Sequence, residues 1–539
     1  MGDLIREAQL AQALVGNQDF ISELSRSLGA LSKADTISQA TGLLWYDLRP
    51  IVQLLYPFKE LIPLISKLPR VPYDGGSMFH WMRVIGIDAQ GNQMGVSEGN
   101  RGSRISVTRQ DQSATYKTLG RESSVTFQAR WGSKNLEPEA LALATQSTLR
   151  SVMIGEEIAL INGNASLALG TCSTPTGGAV AASSGSSFTT GNVYVICVAL
   201  TGMGFQGYTP WNNANLTGGI PGQITKTNAD GSQDIFGGGS GQPSAEATFP
   251  VTAGQTVKAT VNPVPGAVAY GWFVSQASGT ERLAAITQSN QAIFTKPGSA
   301  TAQPPTSLQV ASAYVDNSTN ALLPDGLISQ VFGSVFGTAA SPLMTTNPNL
   351  PAGVTLAASG ALVYAAPAGN TGLTISGTNI NEFDLLLQAA YDQYKVGFSR
   401  VLMSSVDIEA FTGTMFAQGT NSQFRILFDA ERTTGRIVAG HRITSYINKF
   451  FGNTLDIDIH PFVPPGMIIF WSDRVPYELS GVTNLFEAHV RQDYYQVQWP
   501  FRTMRYEYGV YVDEVFANYF LPAFAVIYNL SPPAGTPSF

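Results

Sequence analysis

With 539 residues, 44% of them hydrophobic and only 13% charged, the chain is too apolar to be disordered and has room for about three domains of ordinary size. A formal net charge of −7 excludes the broad basic footprint of a dedicated nucleic-acid binder but not a local contact. Two cysteines, Cys172 and Cys197, exclude a disulfide framework and read as free thiols of a reducing compartment.

Residues 1–35 carry helical spacing (Leu4, Ala8, Ala11, then Phe20, Leu24, Leu28, Leu31) broken at Gly16 and Asn17, with no secretory apolar core. From Leu43 to Pro72 the chain is apolar but interrupted by Pro50, Pro57, Pro63, Pro69 and Pro72, which forbid one continuous helix. An extended arm laid over another surface is expected here. Nothing in the chain approaches a run of about 18 apolar residues, so no membrane span is expected.

A long hairpin arm comes next. Ser77 to Asp88 reads as a strand, Ala89 to Gly102 as a polar, glycine-rich tip, and Ser103 to Phe127 as the returning stretch. An isolated hairpin has almost no core of its own, so an arm this long must lie on something else, naturally a neighbouring subunit. Residues 76–134 hold eight basic and four acidic side chains, against an acidic whole. A basic arm can dock on acidic surface of a copy, or its charges can simply blunt an exposed edge. The candidate inter-subunit contacts are Arg83, Arg101, Arg104, Arg109, Lys117 and Arg121.

The pattern then predicts a helix from about Pro138 to Asn162. Asn135 suits its cap, Pro138 its first turn, and Glu137 and Glu139 oppose its dipole. Leu149, Val152, Met153, Glu156 and Leu160 share one stripe, and the helix would be roughly 37 Å long.

From about Cys172 the composition turns to Gly, Ser, Thr, Ala and Pro. Strands are expected at Val193–Leu200, Gln255–Val261, Val268–Val274, Arg282–Ile286 and Ala292–Thr295, with Trp272 in a core. Residues 172–312 read as an inserted β-sandwich between two linkers. The third block, to about His441, holds a helix with Phe383, Leu386, Leu387, Ala390 and Tyr394 on one face, capped by Thr378 or Asn379. A strand Arg400–Met403 and a capping box over Ser404–Asp407 follow, as in a small α/β unit. The last hundred residues return to strands, with a strongly aromatic run after Tyr494.

No catalytic motif is present: HExxH, GxSxG, the phosphate-loop pattern and paired CxxC are all absent. The cluster Gly237–Gly241 reads as a flexible loop. Asp456, Asp458 and His460 alternate with Leu455, Ile457 and Ile459, so they share one face of a strand. They could hold a divalent metal, but a solvated strand face above a buried one is the expectation. His441 and His489 read as surface or internally satisfied histidines.

The order of these parts resembles the major capsid proteins of tailed bacteriophages. The resemblance covers residues 1–171 and 313–530 and rests on element order and on the runs ARWGSKNLEPEALALATQSTLRSVMIGEEIALINGNASLALGT, NINEFDLLLQAAYDQYKVGFSRVLMSSVDIEAF and LDIDIHPFVPPGMIIFWSD. It implies an α+β, Hong Kong 97-type capsid fold. The arm of 1–75, the extended loop of 76–134 and the spine helix of 135–171 would be followed by an insertion at 172–312 that resembles immunoglobulin-like or fibronectin-like domains. An axial α/β domain of 313–441 and returning peripheral strands of 442–539 would complete it. The resemblance further implies hexamers and pentamers of the chain itself in a virion capsid assembled in the host cytoplasm. Separate scaffolding and portal proteins, a decoration protein and only non-specific contact with packaged DNA would go with it. No cofactor, membrane or enzymatic activity is implied. A secreted or surface β-rich adhesin or binding protein, and a metal-dependent glycan-active enzyme using Asp456 and Asp458, are the competing readings.

Overall fold

The computed structural model describes residues 58–72, 75–87, 95–102, 104, 107–133, 140–180, 186–207, 219–228, 230–333, 349–376, 379–417, 443–473, 484–501, 503–531 and 539. The expected N-terminal helices, the cap of the long helix, residues 89–94 of the arm's tip and His441 lie outside them. By contact the chain divides into a unit of residues 1–54 and 132–139, of which only Gly132 and Ser133 are described, and a unit of 55–131 and 140–539. The second unit holds the architecture that follows.

It is mixed α+β. A short strand β1 (Arg70–Pro72) precedes two arm strands, β2 (Met78–Ile87) and β3 (Val107–Thr115). Tyr116 alone separates β3 from β4 (Lys117–Thr126), which runs into α1 (Phe127–Gly132). The long helix α2 (Ala140–Asn162) comes next. The β-rich segment gives β5 (Thr176–Val180), β6 (Gly191–Leu200), β7 (Gln223–Thr227), β8 (Gln233–Gly237), β9 (Ala247–Val251), β10 (Thr256–Thr260), β11 (Ala269–Ser275), β12 (Arg282–Thr287) and β13 (Gln291–Phe294). Beyond it lie α3 (Leu327–Phe332), β14 (Val354–Leu356), β15 (Leu362–Ala365), α4 (Asn381–Tyr394), β16 (Arg400–Met403) and α5 (Ser405–Ala417). The chain ends in β17 (Ser445–Ile447), β18 (Thr454–Ile459), β19 (Ile468–Trp471), β20 (Phe486–Gln498), β21 (Arg505–Asn518) and β22 (Phe524–Tyr528).

Two sheets share one core with α2. A mixed seven-stranded sheet runs β14-β15-β22-β19-β16-β18-β17, and a four-stranded sheet runs β1-β20-β21-β4. Val152, Ala159 and Leu160 of α2 join Phe383 and Leu386 of α4, Val401, Phe470 and Val526 of the larger sheet, and Val510, Val512 and Phe516 of the smaller. Strand β4 (KTLGRESSVT) has little strand character of its own. It is extended because all ten of its residues pair with β21, from Lys117 opposite Glu514 to Thr126 opposite Arg505. The expected returning stretch of the arm is therefore two strands with different partners, since only β3 pairs with β2.

In the β-rich segment, sheets β13-β10-β5 and β12-β11-β6-β9 contribute to a single core around Trp272, Phe294, Val257 and Val195. Trp272 is fully buried and its indole donates to Thr287 Oγ1 at 2.8 Å. Strand β6 alternates: Val193, Val195, Cys197 and Ala199 enter this core, while Ile196, Val198 and Leu200 pack with Ile220, Phe273 and Leu308 on the other face. A strand buried on both faces reads as an unbroken apolar run, and VYVICVAL is one. All five expected strands occur near their expected bounds.

Three expectations for this part of the chain are corrected. The stretch read as a linker contains β5, whose Gly-rich TGGAV carries no strand signal but pairs along β10. The cluster Gly237–Gly241 is packed backbone rather than a flexible loop. Ser240 is fully buried and bridges Leu200 and Asn317, and a Cβ on Gly238 would lie 2.5 Å from the Gly222 carbonyl oxygen. Helix α4 is preceded by Ile380, with no side-chain cap. Asn379 instead pairs with Ser376, while Glu382 takes the Thr374 amide at 3.0 and 2.9 Å. The capping box at α5 does form, with Asp407 N donating to Ser404 Oγ at 3.1 Å and that hydroxyl donating to Asp407 at 2.8 Å.

Candidate functional site

The arm pairs Met78 with Thr115 and continues to Ile87 opposite Val107, with one extra residue, Ile85, forming a bulge. Alternation gives it two faces. At its base Phe79 and Trp81 turn inward with Ala114 and Tyr116 onto Val515 and Leu521. Phe79 stacks on His489 at 3.8 Å between centroids, and Trp81 meets Tyr519 edge-on at 5.9 Å. Tyr519 donates its hydroxyl to Glu487 (3.2 Å) and lies 2.9 Å from His489 Nε2. Burial holds the His489 imidazole below its usual pKa, against the pull of Glu487, so the ring under Phe79 is neutral near pH 7.

Further out the arm has no such support among the described residues. Met82 is 75% exposed and Val84 55%, and Val107 is exposed beside them. Three of the basic candidates lie in this outer part. Arg109 is exposed on β3 opposite Val84, and Arg101 and Arg104 are exposed in the segment leading into it. Arg83 occupies β2 opposite Gln110. Lys117 and Arg121 are not on the arm. They stand on β4, half-buried and exposed respectively, opposite Glu514 and Val510 in the four-stranded sheet.

The segment that precedes the arm is fixed in a polar joint that the sequence did not announce. Helix α2 buries two successive glutamates, Glu156 and Glu157, both without solvent exposure. Glu157 accepts the amides of Leu64 (2.9 Å) and Ile65 (2.7 Å) and receives His460 Nε2–H at 2.7 Å. The tautomer follows from His460 Nδ1, which accepts the Phe462 amide at 3.2 Å. Glu156 takes the Arg70 guanidinium and the Tyr494 hydroxyl. Arg70 also meets Asp493 at 2.8 Å and the buried Glu514 at 3.8 Å. Burial raises the pKa of Glu156 despite the neighbouring Glu514, Arg70 and Tyr494, and raises that of Glu514 further. The segment 64–70 and β1 are thereby fixed to the helix through charge and backbone amides.

The aspartates of β18 form no site with His460. Leu455 and Ile457 are buried and Asp456 exposed, as expected, but Ile459 is 41% exposed and His460 fully buried. The strand ends at Ile459, and the chain turns His460 in toward Glu157. Among the described residues no group of three or more His, Cys, Asp and Glu side chains is placed to hold a metal. Sequence reasoning gave Glu156 a place on the apolar stripe without recognising it as buried charge. The signal was there: a carboxylate at a core-facing helical position demands a partner.

No family model and no curated protein matches the chain. Comparison with solved structures finds similarity to the capsid of a native GTA particle, at 8% identity over 93% of this chain and 100% of that one, with a TM-score of 0.40. The cyanophage A-1(L) capsid is similar at 9% identity over 91% of this chain and 98% of that one, TM-score 0.40. The capsid of Myoviridae phage XM1 is similar at 9% identity over 92% of this chain and 100% of that one, TM-score 0.37.

Proposed function

We propose that the chain is a major capsid protein that assembles with copies of itself into hexamers and pentamers, forming an icosahedral shell around the genome of a tailed phage. The observation that carries this reading is the arm. A ribbon rooted by Phe79 and Trp81 yet exposing Met82, Val84 and Val107 further out leaves apolar surface uncovered among the described residues. A neighbouring copy is the surface it fits. Arg101, Arg104 and Arg109 would face acidic surface of that copy, helix α2 would act as the spine, the four-stranded sheet as the peripheral part and the seven-stranded sheet as the axial part. Scaffolding and portal proteins would be separate chains, and contact with packaged DNA would be non-specific.

Deleting Ala89–Gly102 tests the reading. The expected product is a folded monomer, with circular dichroism and melting close to the parent, that builds no shells by electron microscopy. Normal shells from that deletion would overturn it. Reversing charge at Arg101, Arg104 and Arg109 together is expected to slow assembly at low salt by about tenfold or more. Light scattering across ionic strengths reads this, since the variant should lose the parent's salt dependence.

A further inference from the structure

Among the described residues, the joint around Arg70 holds more carboxyl groups than the guanidinium ion-paired with them can neutralise. Glu156 on α2 and Glu514 on β21 are both without solvent exposure, and they share the guanidinium of Arg70 on β1. From β20, Tyr494 donates to Glu156, and Asp493, largely exposed, meets Arg70. From β4, Lys117 is the cross-strand neighbour of Glu514. Glu157, next on the helix, is turned to the Leu64 and Ile65 amides and His460. Neither carboxyl oxygen of Glu514 has a hydrogen-bond donor among the described residues. A fully buried carboxylate without donors is among the costliest groups a fold can hold.

We infer that Glu514 is held as the neutral acid and donates its O–H to the Glu156 carboxylate, so that the pair keeps one proton and works as a proton-locked joint between α2 and β1. With that proton the buried group is neutral: one guanidinium, one carboxylate, one acid. Without it, two buried anions face each other across a single arginine, and Glu514 has no donor. Loss of the proton loosens the attachment of β1, and with it the ladder in which Ala488 N donates to the Pro69 carbonyl at 3.0 Å. The sign follows from burial favouring the protonated form. The contribution to stability is complete at low pH and is lost as pH rises through the raised folded value.

The test uses the full chain and Glu514→Gln, whose amide can donate to Glu156 but cannot ionise. The parent is expected to lose stability and Ala488 amide protection progressively as pH rises above the ordinary glutamate value of 4.5, while the variant holds both and exchanges at least tenfold more slowly at the alkaline end. Parallel decline of parent and variant would overturn the inference. So would retained protection in the parent throughout. Infrared spectroscopy of the parent labelled at glutamate needs no variant. A protonated-carboxyl stretch persisting at neutral pH and vanishing in step with Ala488 protection is expected, and its absence at neutral pH would sink the proposal.

Discussion

Asp407 shows how one side chain can serve two elements under electrostatic tension. It closes the capping box of α5 with Ser404 and takes the Gly466 amide at 3.1 and 3.0 Å. Burial raises its pKa from 3.8 to about 6, against those hydrogen bonds. Because the folded value lies above the unfolded one, the stabilisation is full below 3.8 and disappears as pH rises through about 6. Asp407→Asn removes the ionisation, so a melting series from pH 4 to 7 should lose a slope worth about 3 kcal/mol. At this scale Trp272 and the capping box were legible, because bulk and hydroxyl–carboxylate spacing are local signals. The buried Glu156, Glu157 and His460 were not, because their partners lie far away in sequence, at Arg70, Leu64 and beyond.

Among the elements, the arm illustrates how a strand pattern can hide a change of partner. Ser103 to Phe127 reads as one extended stretch, and nothing in its polar sequence marks Tyr116 as the residue where pairing passes from β2 to β21. Apolar strands such as β6 were recognised because their own residues require burial. Polar ones such as β4 and β5 extend only because a neighbour offers a ladder, which is information held elsewhere in the chain. The base of the arm depends on Phe79 against His489. Phe79→Ala should remove about half of the ~3–5 kcal/mol of a fully buried aromatic, since the ring is half-buried. Hydrogen exchange is expected to quicken in β2 and β3 and stay unchanged in β16 and β19. Uniform quickening across the sheets would show that the contact supports the whole unit rather than the arm.

For the whole molecule, the β-rich segment and the seven-stranded sheet are joined by a buried amide network. Asn290 and Asn529 bond each other, with Asn529 Nδ2 donating to Asn290 Oδ1 at 2.9 Å and Asn290 N to Asn529 Oδ1 at 2.6 Å. Gln291 donates to Ser531 Oγ at 2.7 Å and accepts the Gly369 amide at 2.6 Å. Such a network fixes one relative placement, because a shifted interface would leave amides unpaired. Asn529→Ala strands its Asn290 partner and should cost about 1–3 kcal/mol, read as a lower melting temperature with faster exchange on both sides of the junction. The sequence marked the composition change near Cys172 but not this seam, since isolated asparagines look the same in a loop and in a core.

The two strands of the arm lead back to β1 and β4, which are the opposite outer edges of the sheet β1-β20-β21-β4. Mechanically, the arm is therefore a bridle rather than a tether. A tug on it divides between two anchorages on either side of β20 and β21. On the β4 side, tension along the strand is resisted in shear by ten paired residues at once, rather than by hydrogen bonds parting singly as in a zipper.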